Sequence, residues 1–203
     1  MRTRLLKKRL KSLFSPKLIM TYFIVFLMLG SVLGFVLMDT MNTQSPVSFN
    51  NHKVELDENG YLVTYENEKL DFIFSPFDLE FVELPENAIN LVANSTYVIL
   101  SFDPRIASVG DMDYIHYIMY EYLLKENILV GRGMASEDIR FDYPIVSCAN
   151  STIESPVILF EEGTANNATV NSDNGCIKVI SDNSGFRVRF AERLIYGVLG
   201  IIE

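Results

Sequence analysis

The chain has 203 residues, 17 basic and 26 acidic, with a formal net charge of −9; this is room for one domain plus an anchor. Seven cations (Arg2, Arg4, Lys7, Lys8, Arg9, Lys11, Lys17) precede Asp39, the first acidic residue, and the remainder carries 10 basic and 26 acidic residues, a net of −16. So acidic a remainder repels phosphate, which argues against DNA or RNA as a partner.

Residues 1–17 read as a basic cytoplasmic segment. Leu5, Leu6, Leu10, Leu13 and Phe14 lie among its cations, a composition that suits a short helix on anionic lipid. Residues 18–38 hold no charge over 21 positions. At about 1.5 Å per residue they reach roughly 31 Å, the hydrocarbon thickness of a bilayer, which predicts a transmembrane helix. Cations before the span and Asp39 after it predict a cytoplasmic N-terminus and an extracytoplasmic C-terminal domain. The alternative is a cleaved signal peptide, but Leu37-Met38-Asp39-Thr40-Met41 offers no small-residue cleavage site. Gly30 and Gly34 stand one turn apart, a spacing at which two such helices pack closely, so a homodimer through the span is one expected partnership beside the bilayer itself.

Residues 39–51 are polar and read as a tether to a globular domain over 52–203. Residues 53–57, 61–65 and 70–74 alternate as a three-stranded meander, with Asn59-Gly60 as the first turn. Pro76 and Pro85 bracket a connecting segment. Residues 97–102 are a nearly continuous apolar run, suited to a strand buried on both faces, which Asp103-Pro104 ends. Residues 111–126 read as a helix with Asp111 as N-cap and an apolar stripe of Ile115, Ile118, Met119, Tyr122 and Leu123. A strand over 128–130 follows, ended by Gly131-Arg132-Gly133, so strand, helix and strand predict a parallel pair. Residues 143–148 form a third candidate core strand, which Pro144 either starts or confines to a sheet edge. Short strands over 156–160, 168–170 and 176–180 precede an amphipathic helix over 185–202. The expected fold is α/β or α+β: an N-terminal transmembrane helix, then one domain with a mixed sheet, made of a β-meander and a parallel β-α-β unit under two packing helices.

Cys148 and Cys176 are the two cysteines. Outside the cell they read as one disulfide, against the alternative of two buried free thiols. Neither has a second Cys or His at ligand spacing, so no metal is expected. Three sequons, at Asn94, Asn150 and Asn167, are glycosylation candidates on the predicted outer side.

Chemistry is sparse. In open α/β sheets ligands bind beyond the carboxyl ends of the strands, which makes Asp103, Arg105 and Arg132 the candidate ligand-binding residues. The alternative is turn chemistry, since Asp-Pro and Gly-x-Gly are ordinary ways to stop a strand. His116, on the helix, and His52 lack a catalytic partner in sequence. Gly131-x-Gly133 lacks the third glycine of a dinucleotide fingerprint. No G-x-S-x-G, H-E-x-x-H or P-loop is present, and no cofactor is implied.

The layout resembles uncharacterised single-span proteins of small-genome archaea. The resembling parts are Leu27-Met28-Leu29-Gly30-Ser31-Val32-Leu33-Gly34-Phe35, Leu100-Ser101-Phe102-Asp103-Pro104, Pro144-Ile145-Val146-Ser147-Cys148, Gly175-Cys176-Ile177 and Arg193-Leu194-Ile195-Tyr196-Gly197-Val198-Leu199-Gly200. The resemblance implies a lineage and no activity. The expected function is a non-enzymatic interaction or envelope-complex subunit with a protein partner at the cell surface. The alternative is a membrane-anchored hydrolase or small-ligand-binding protein using a crevice at the ends of the central strands.

Overall fold

Residues 16–42, 47–106, 109–163 and 168–203 are described by the computed structural model. Pro16–Asn42 form α1, whose described side chains, residues 20–34, are all exposed. Among the described residues no helix is long and apolar enough to cross a membrane. The span expected over 18–38 extends beyond those side chains at both ends.

Pro46–Glu203 form a second unit. It opens with a four-stranded antiparallel sheet, β1 (Val47–Phe49), β2 (His52–Asp57), β3 (Gly60–Tyr65) and β4 (Glu68–Phe72), in that order. The expected meander therefore gains a strand from residues 47–49, inside the expected tether. Two of its turns place both central residues at positive φ, the geometry that follows strand twist: Asn50 and Asn51 (43° and 69°), and Glu66 and Asn67 (48° and 70°). The turn expected at Asn59-Gly60 is shifted. Gly60 pairs with Asp57, which leaves Glu58 and Asn59 in the turn. Gly60 has a different reason to be glycine: a Cβ there would meet Phe72 O at 2.1 Å.

The expected connecting segment contains the four-residue helix α2 (Pro76–Leu79), and α3 (Ala88–Ala93) follows it. A mixed sheet follows, in the order β6-β5-β7-β9-β8. Its strands are β5 (Tyr97–Phe102), β6 (Leu129–Met134), β7 (Val157–Glu161), β8 (Thr169–Asp173) and β9 (Cys176–Ile180). β5 pairs in parallel with both β6 and β7, and β7 with β9; only β8 runs antiparallel. The Asn174-Gly175 turn between β8 and β9 has the positive φ values, 44° and 81°, that its sequence requires.

Two helices, α4 (Val109–Leu123) and α5 (Ser184–Val198), share one hydrophobic core with both sheets. Phe160 of β7 meets Phe190 of α5 with ring centroids 6.1 Å apart. On the other side Phe72 of β4 meets Tyr196 of α5 and Tyr122 of α4 at 4.2 and 5.0 Å. α5, whose rings meet both sheets, buries more than one stripe. Arg187, Val188 and every residue from Phe190 to Tyr196 are buried in α5, so burial extends beyond the apolar face of the expected amphipathic helix. α4 begins at Val109, which places Asp111 in the first turn rather than at the N-cap.

Two strand expectations fail for tertiary reasons. Residues 143–148 make a single parallel bridge, Met134 to Ile145, and no strand; Pro144 has no N–H to give a ladder. The segment instead covers the second face of the mixed sheet, where Val146 packs with Val157, Leu159 and Cys176. Gly131-Arg132-Gly133 does not end β6 but lies within it. A Cβ on Gly131 would meet Tyr97 Oη at 2.0 Å, and one on Gly133 would meet Val146 Cβ at 2.9 Å. These glycines make room for side chains laid across the sheet. The cysteines form the disulfide Cys148–Cys176, which ties this covering segment to β9.

Candidate functional site

The parallel order reverses at β5, since β6 lies to one side and β7 and β9 to the other. This is where an open α/β sheet offers a crevice, and Asp103 stands at it, its N–H donating to Phe160 O at 2.8 Å. Its carboxylate is already engaged. Arg105 donates to it through the backbone N–H at 2.9 Å, through Nε at 2.9 Å and through Nη2 at 2.6 Å. Those bonds hold Asp103 below the ordinary carboxylate range despite its burial. An ionised group so fully accepted is a poor general acid or base at neutral pH. Asp103-Pro104-Arg105 is a turn closed by its own ion pair.

Arg132 is not brought to this edge. Its Nη1 donates to Asp113 Oδ1 of α4 and to Tyr143 Oη, each at 2.8 Å. His116, half-buried beside Arg132 and stacked on Tyr120, is pushed down to about 4, first by burial and then by that cation, so it is neutral at pH 7. Asn94 is exposed at the C-cap of α3, and its Nδ2 donates to Asn90 O at 2.8 Å. Asn150 is exposed, and its Oδ1 accepts from Ser147 N at 2.9 Å. Asn167 lies outside the described residues. Gly30 and Gly34, on α1, have open space where a Cβ would stand.

Two charged groups of α5 are internal. Arg187 is buried, its Nη1 donating to Ser181 O at 2.6 Å, with Asp111 and Glu162 at 3.8 and 3.7 Å. Glu192 is fully buried and accepts three hydrogen bonds, each 2.9 Å, from Ile73 N, Phe74 N and Tyr114 Oη. It closes the backbone donors just past β4. Burial drives its carboxyl pKa up, an effect the three donors oppose.

Glu192 also fixes one wall of a cavity of about 170 Å³ between the β2–β3 hairpin, β4 and α4. Among the described residues the cavity is lined by Phe72, by the tyrosines Tyr61, Tyr114, Tyr117 and Tyr122, and by Asp57 and Asp71, with no lysine, arginine or histidine. Two of the phenols are locked. Tyr114 Oη donates to Glu192, while Tyr122 Oη donates to Asp71 O at 2.7 Å and accepts from Asp71 N at 2.9 Å. Burial raises both phenol pKa values far above physiological pH. Tyr117, by contrast, is 60% exposed.

No family model, curated protein or solved structure matches this chain. The cavity therefore stands on its own geometry. Sequence reading missed it because Tyr122 counted only as core and Tyr61 only as strand. One signal was present: residues 114–122 hold Tyr114, Tyr117, Tyr120 and Tyr122, four of the chain's ten tyrosines.

Proposed function

We propose that the chain is a membrane-anchored extracytoplasmic interaction domain, a non-enzymatic subunit of a cell-surface complex. The uncharged run over 18–38 supports the anchor, and the cations before it support a cytoplasmic N-terminus. The Cys148–Cys176 disulfide fits an oxidising compartment. The observation that carries the interaction reading is the outer face of α4 and its short extension. Tyr117, Tyr120 and Leu124 follow one another at spacings of three and four, and are 60%, 40% and 42% exposed. Large apolar side chains aligned on one exposed helix face mark a surface that a partner covers.

The second reading, a small-ligand-binding protein, moves from the strand ends to the tyrosine cavity. Asp103 is closed by Arg105, whereas the cavity is preformed and bordered by Tyr117, one of the α4 surface residues.

Affinity capture of the tagged full-length chain from gently solubilised membranes, followed by mass spectrometry, tests the interaction reading. A stoichiometric partner is expected with the wild type and lost with Tyr120→Glu and Leu124→Glu. Both substitutions change exposed side chains, so the unfolding midpoint is expected to stay unchanged. A partner retained by both variants, or a chain that comes out alone, contradicts the reading.

A further inference from the structure

We propose that the tyrosine-lined cavity binds an organic ammonium cation, specifically a trimethylammonium group. This rests on reading the domain as a binding module and names the chemistry of the site.

Size comes first. At about 170 Å³ the cavity is too small for a nucleotide or a drug-sized cofactor, whose pockets run to roughly 300–1,000 Å³. A cavity of roughly 150 Å³ admits benzene, so a ligand group of similar bulk fits. Charge comes second. Asp57 and Asp71 are among the described residues around the space and no lysine, arginine or histidine is, so these surroundings favour a cation over an anion. Donor chemistry comes third. The hydroxyls of Tyr114 and Tyr122 are spent on Glu192 and on Asp71 O, so those walls offer rings rather than donors to a sugar or a carboxylate. Aromatic rings and carboxylates together stabilise a cation that makes no directed hydrogen bonds. The locked phenols also hold their rings in place before the ligand arrives, which lowers the entropy lost on binding.

The test is isothermal titration of the full-length chain in neutral maltoside micelles with choline and with its uncharged isostere, 3,3-dimethylbutan-1-ol. Choline is expected to bind, with the isostere at least about tenfold weaker, as one cation–π contact and a nearby carboxylate imply. Tyr117→Ala and Asp57→Asn, both at exposed positions, are each expected to weaken choline about tenfold without moving the unfolding midpoint. Equal binding of choline and isostere, unchanged affinity in both variants, or no binding at all overturns the proposal. A chain that still captures its partner but ignores choline fails on the ligand alone; one that binds choline but captures nothing fails on the interaction reading alone.

The trimethylammonium group can belong to a free solute or to a lipid headgroup. Repeating the titration in phosphatidylcholine and phosphatidylglycerol nanodiscs separates the two. Choline binding lost only in phosphatidylcholine assigns the site to the headgroup, and equal binding in both assigns it to the solute.

Discussion

Glu192→Ala is expected to destabilise the domain by roughly 3–5 kcal/mol, because it leaves three donors that converge on a buried side chain without their acceptor at once. The side chain is fully buried, and the N–H groups of Ile73 and Phe74 and the Tyr114 hydroxyl converge on it. Among the described residues no strand pairs with those backbone donors, and the carboxylate on α5 accepts from them instead. Glu192→Gln keeps one acceptor oxygen and is expected to cost less than half as much. Denaturant unfolding of the full-length chain at pH 7 measures both, and an alanine variant within about 1 kcal/mol of wild type would show that the donors find other partners.

The same residue makes stability depend on pH in a defined direction. Burial lifts Glu192 above its ordinary value of 4.5, so the folded state holds this proton more tightly than the unfolded chain does. Its stabilising contribution is complete below the ordinary carboxyl range and is lost as pH rises through the raised value. The stability of wild type relative to Glu192→Gln is therefore expected to fall with increasing pH above about 4.5. A constant difference across that window would mean that the three donors cancel the burial.

Removing the disulfide is the other large effect. Cys148 and Cys176 are 28 positions apart, and closing such a loop contributes roughly 3–4 kcal/mol in the chain-entropy account. The bond also holds the segment that places Val146 over Val157 and Leu159, and that lets Ser101 Oγ donate to Val146 O at 2.6 Å. Cys148→Ala with Cys176→Ala is expected to lower unfolding stability by that amount, and a reducing agent is expected to do the same to wild type. Unfolding curves of wild type with and without reductant that coincide would sink this expectation.

The strands were legible where local chemistry decided them. The apolar run 97–102 became β5 and residues 176–180 became β9 at the expected bounds, because continuous burial and an Asn-Gly turn are local properties. What failed depended on neighbours distant in sequence. Gly131 and Gly133 read as a strand stop, yet they answer to Tyr97 and Val146 lying across the sheet. Residues 185–202 read as an amphipathic helix, yet Arg187 and Glu192 are buried on Ser181 and on the backbone past β4. Asp103 stands at a strand end, and its carboxylate accepts from Arg105, two residues on, as the turn alternative expected. The cavity escaped because its walls come from β3, β4 and α4, which no spacing rule connects.

An anchored interaction domain requires the acidic domain to lie outside the membrane. Protease treatment of intact cells expressing the chain with an epitope at each end tests this most directly. The expected result is loss of the C-terminal epitope, with the N-terminal one protected until the membrane is permeabilised. Protection of both epitopes in intact cells, or recovery of the chain in the soluble fraction, would contradict the anchored extracytoplasmic arrangement.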